Sequence, residues 1–96
     1  MATTARATLS ANSDVCGPIV IGPRRTGVFR IEVTGTITVT VQTRVGTTWF
    51  AVKKADESTD AAYTADSAGE ILAPGEYRLI ASGVAAGSAA CRLSQS

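Results

Sequence analysis

Between Gly27 and Lys54 the chain reads GVFRIEVTGTITVTVQTRVGTTWFAVKK, and three runs inside this stretch alternate apolar and polar residues. That is the period of a strand buried on one face, because successive side chains point to opposite sides of a sheet. Phe29, Ile31 and Val33 fall on one side of the first run, with Val28, Arg30, Glu32 and Thr34 on the other. In the second run Ile37, Val39 and Val41 oppose Thr36, Thr38, Thr40 and Gln42. The third is Thr48 to Lys53, where Phe50 and Val52 oppose Trp49 and Ala51.

Shorter pieces of the chain repeat the pattern. Val15 to Gly22 is a first strand, and Pro18 within it points to an edge position or a bulge, since proline cannot donate to a ladder. Pro23 to Thr26 is an exposed turn, Ala55 to Asp60 an acidic loop, and Ala61 to Ala65 a weak strand around Tyr63. Asp66 to Gly69 reads as a turn and Glu70 to Ala73 as a short strand, followed by a type II turn at Ala73-Pro74-Gly75-Glu76. Tyr77, Leu79 and Ala81 then share one side of Glu76 to Ser82, and Ala89, Cys91 and Leu93 one side of Ser88 to Ser94. Met1 to Asp14 is small and polar with Leu9 as its one anchor, and reads as a flexible or partner-ordered arm. Seven or eight short strands with turn signals between them, and no helical period, predict an all-β fold. The expected form is a single small antiparallel β-sandwich, jelly-roll or Ig-like Greek key, over residues 15–96.

Residues paired across an antiparallel ladder share a face, which sets the expected registers. Val33 opposite Ile37 leaves a loop at Thr34-Gly35-Thr36, unless the two strands belong to different sheets. A loop at Arg44-Val45-Gly46-Thr47 sets Val41 against Phe50 and puts Trp49 beside Gln42 on the outer face, unless a bulge at Gly46 turns Trp49 inward. A loop over Gly83 to Gly87 pairs Leu79 with Cys91 and Ala81 with Ala89.

Composition narrows the function. The 96 residues make one domain, and with aromatics at 5% its core is modest, so partners are expected to supply part of its stability. A formal net charge of +1 leaves no footprint for nucleic acid or membrane. Met1 to Ser13 lacks the apolar core of a signal peptide, so synthesis and retention in a cytoplasm are expected, with exit only inside something larger. Cys16 and Cys91 are read as two buried free thiols. A cytosolic product is normally reduced, and regular alternation sets Cys16 on the face opposite Ile19 and Ile21 unless Pro18 shifts the phase.

Reactive chemistry is sparse. There is no histidine, the usual general base and commonest metal ligand. Asp56, Glu57 and Asp60 lack the ligand alternation of a calcium loop and read as solvated. Arg24-Arg25 reads as a solvated tip, and the glycines sit at turns rather than in a phosphate-cradling pattern. No catalytic, cofactor-binding or metal-binding residues are expected, and no cofactor. The outer stripe Thr36, Thr38, Thr40 and Gln42, with Trp49 beside it, is either an ordinary solvated face or a contact face for a partner.

The run VTVQTRVGTTWFAVKK, followed by LAPGEYRLIASG and a closing strand of small residues, carries a family likeness over Gly27 to Leu93. It resembles the small β-sandwich proteins encoded among the virion genes of tailed bacteriophages, although Val45-Gly46 lacks the acidic residue often found in that turn. The resemblance implies a non-enzymatic capsid decoration, or cement, protein on the virion surface, binding the major capsid protein and self-associating as a dimer or trimer. It also implies a terminal arm that reaches over neighbouring subunits, which adds Thr3, Arg6 and Leu9 to the candidate contacts. The rivals are a tail or fibre adaptor, and a carbohydrate-binding module stacking sugars on Trp49, Tyr63 or Tyr77.

Overall fold

The computed structural model describes residues 3–54 and 59–95. Strands β1 (Thr3–Leu9), β2 (Val15–Ile21), β3 (Gly27–Val45), β4 (Thr48–Ala51), β5 (Ala62–Tyr63), β6 (Ser67–Ile71) and β7 (Gly75–Gln95) occupy them, with no helix. All seven belong to one antiparallel sheet, so the all-β class follows the alternation.

β3 and β7 run 19 and 21 residues and pair with each other along nearly their whole length. In the first layer the order is β1, the C-terminal part of β7, the N-terminal part of β3, then β6. In the second layer β2 pairs the N-terminal part of β7, whose other neighbour is the C-terminal part of β3. β4 and β5 lie end to end along the far side of that same part of β3. The layers face each other: the Cys16 thiol of β2 lies 3.8 Å from the Cys91 carbonyl of β7, and the Phe29 and Tyr63 rings are 5.5 Å apart. The sandwich is therefore one sheet folded over its own apolar face.

The crease falls where β3 and β7 were expected to turn. The loops at Thr34-Gly35-Thr36 and Gly83–Gly87 do not form; both strands continue through these positions. Consequently Leu79 pairs with Val41 and Cys91 with Ile31, not with each other. From Val33↔Ala89 to Val39↔Ala81 β3 advances six residues and β7 eight, so bulges place two extra residues on β7. An even excess keeps the inward parity, and Ala81 and Ala89 both face the core at 2% and 0% exposure. Gly35 supplies the left-handed backbone at the crease, with φ of 76°.

The N-terminal segment corrects a second expectation. Residues 3–9 are no free arm; they are an edge strand in full register with β7, from Thr3↔Gln95 to Leu9↔Ala89. Ala5, Ala7 and Leu9 alternate inward, and Leu9 is buried in the core at 1% exposure. The link to β2 is held as well. Asp14 accepts from the backbone N–H of Ser10 and Ala11 at 3.0 Å each, and Asn12 Oδ1 accepts from the Val84 N–H at 3.0 Å. That last bond satisfies a donor that the bulged β7 would otherwise leave unpaired. Met1 and Ala2 lie outside the described residues.

β2 settles the cysteines. Its register shifts between Cys16 and Ile19, at the cis Gly17–Pro18 bond, which changes the phase so that Cys16, Ile19 and Ile21 all face inward. Both thiols are free and buried, as expected, although the parity used to separate them does not hold. Three smaller corrections concern edges. The Asp66–Gly69 turn is mostly strand β6, and Gly75 already belongs to β7. The β3–β4 turn is only Gly46-Thr47, because Gly46 takes φ of 65°; Thr43, not Val41, therefore opposes Phe50, which is 52% exposed.

Candidate partner-binding face

A sheet folded onto its inner face offers two outer faces. The second layer presents the threonine stripe: Thr36 is exposed, and Thr38, Thr40 and Gln42 are half-buried beside Ser82, Ile80 and Arg78. At Thr40 and Gln42 β3 is paired on both sides, by β7 and by β5 or β4, whereas Thr36 and Thr38 pair with β7. Trp49 faces outward, as expected, and Arg78 lies over its ring at 4.3 Å. The same Arg78 donates through Nε to Gln42 Oε1 at 2.8 Å, and Arg44 pairs with Glu76 at 2.9 Å. The long polar side chains of this face are therefore largely engaged with one another.

The aromatic rings form no platform. Tyr77 is buried and donates its hydroxyl to the Ala73 carbonyl at 3.0 Å. Tyr63 packs against Phe29, with Lys54 over its ring at 4.8 Å. Trp49 sits under Arg78 on the outer face of the second layer. A sugar would find no adjacent pair of exposed rings.

The outer face of the first layer differs. Arg6 of β1 is opposite Arg92 of β7, and Arg92 is opposite Arg30 of β3, which makes a row of three arginines across three neighbouring strands. All three are exposed and line one shallow depression with Thr8, Glu32 and Ala90. Neighbouring strands lie about 4.8 Å apart, so the row spans roughly 10 Å. Like charges directly opposite one another on a sheet are unfavourable. Arg30 is eased by Glu32 at 3.2 Å, an ion pair with both side chains mostly in solvent and hence weak. Among the described residues, no ion pair or hydrogen bond engages the guanidinium of Arg6 or of Arg92.

Of the residues singled out from sequence, the structure brings Gln42 and Trp49 together through Arg78, and places Arg6 on the other layer. Leu9 is a core residue, unable to serve as a contact, and Thr3 opens β1 opposite Gln95. Sequence reasoning missed Arg30 and Arg92. Both stand at outward positions of strands whose parity was read correctly, yet residues 6, 30 and 92 become neighbours only through strand order. In the acidic loop, Asp56 and Glu57 lie outside the described residues, while Asp60 pairs with Lys53.

No protein-family model, curated protein or solved structure matches the chain.

Proposed function

We propose that the chain is a non-enzymatic structural protein of a virus particle, a decoration protein that seats an outer sheet face on the capsid shell of a tailed bacteriophage and stabilises it. The observation that carries the reading of a binder is the exposed face of the first layer, where charged side chains stand across three strands with few partners of their own. A single sheet folded on itself gives that face a stiff backing, suited to holding a surface rather than to closing around a small substrate. The phage setting rests on the likeness over Gly27 to Leu93. Its partner is the major capsid protein, with self-association as a dimer or trimer and no contact with nucleic acid or membrane. Contact through a loose N-terminal arm is no part of the proposal, since residues 3–9 are built into the sheet. The experiment is copy number in purified particles. A decoration protein is present in proportion to the major shell protein. A handful of copies per particle would instead mean a tail or fibre adaptor, and none would end the virion reading.

A further inference from the structure

The Arg6–Arg92–Arg30 row on the outer face of the first layer is, we infer, a docking site for carboxylates on an acidic protein surface. The inference deepens the partner-binding reading above by naming the face and the chemistry of what it meets. Three observations point the same way. Cross-strand repulsion makes such a row a cost to the isolated fold, and Arg92 bears it from both sides. The other outer face carries a comparable number of long polar side chains, but there they are tied to one another through Arg78–Gln42 and Arg44–Glu76. Guanidinium groups, finally, hold carboxylates through two parallel N–H···O bonds, a geometry that suits a flat row of donors.

Charge and surroundings separate an acidic protein from a nucleic acid. Glu32 and Glu70 share this face with the arginines, and the other outward residues, among them Thr8, Val28, Ala90 and Ser94, are uncharged. A polyanion that tracks many phosphates needs a continuous basic groove, and a single strand needs rings to stack on. This face has neither. Acidic residues one helical turn apart have Cβ atoms about 5–6 Å from each other, close to the spacing along the row.

The test uses the full chain and a fluorescent peptide of consecutive glutamates, followed by anisotropy at low and at moderate salt. The expected result is saturable binding that weakens as salt rises. Arg6→Gln with Arg92→Gln should reduce it about tenfold or more, while Arg24→Gln with Lys53→Gln, which removes the same charge elsewhere, should change it little. Absence of binding at low salt, or equal losses in both double variants, overturns the inference. So does equal or tighter binding of a single-stranded oligonucleotide of matched charge, or a solution dimer that the Arg6 and Arg92 changes disperse. The two readings fail separately. A chain that coats particles undisturbed by the double arginine change loses only this site; one that binds the peptide through these arginines yet is missing from particles loses only the virion role.

Discussion

A Cβ placed on Gly87 would lie 2.2 Å from the carbonyl oxygen of Thr36, so the backbones of β7 and β3 touch at the crease with no room for a side chain between them. Thr36 is also where the register slips, pairing with both Ala86 and Ala85. The fold of the sheet depends on this approach.

Gly87→Ala is therefore expected to destabilise the protein by about 3 kcal/mol, because the atoms in the way are backbone and cannot rotate aside. Gly46→Ala, at a hairpin tip with nothing within 4 Å, should cost less, since only the positive φ of 65° is strained there. Urea unfolding of both variants checks the ranking. Equal losses would mean that the crease is not a tight contact.

Leu9→Ala is expected to lower stability by about 2–5 kcal/mol. For a domain of this size that corresponds to a melting temperature lower by roughly 10–30 °C. Removing residues 1–14 should do at least as much, since β1 and the Asp14 and Asn12 bonds go with it. Thermal melts that stay unchanged after the truncation would return this segment to the role of a free arm.

Arg92→Thr should raise stability by about 0.2–1 kcal/mol by removing the middle charge of the row. The gain should be larger at low ionic strength, where the exposed arginines are least screened. A loss of stability at low salt would show that Arg92 is held by favourable contacts within the chain.

Burial, and then the neighbouring Cys16, push the Cys91 thiol up from 9.0 to about 12. Burial likewise raises Cys16. Well below pH 9 the Cys91 thiol is protonated in folded and unfolded chains alike, and its contribution to stability is fully present. Above that the unfolded chain ionises first, so stability falls progressively as pH rises from about 9 to about 12. The folded protein should also react slowly with a thiol reagent at neutral pH and rapidly in denaturant. Fast labelling of the native chain would contradict both points.

Much of the fold could be read from alternation alone. Ile31, Ile37, Val39, Val41, Leu79 and Leu93 were all placed on inward faces, and all are buried at 2% exposure or less. What alternation could not supply was whether β3 turned at Gly35. A loop of three residues and an unbroken strand both leave Val33 and Ile37 on the same side, so parity is blind to the difference. The N-terminal strand was hidden by chemistry: its inward residues are Ala5, Ala7 and Leu9, and two alanines give little apolar contrast against Thr4, Arg6 and Thr8. The arginine row lay further out of reach. It depends on β1 and β3 flanking the same half of β7, a matter of strand order on which single residues have no bearing.

β3 and β7 form the centre of both layers, and this gives the molecule a mechanical character of its own. Neither layer has middle strands that it does not share, so one cannot melt while the other stands, and the layers cannot slide apart like stacked cards. Backbone amides in the middle of both, those of Ile31 and Val39 for instance, should exchange with solvent only through complete unfolding, at one common free energy. Such a body passes a pull applied at one face straight through to the other.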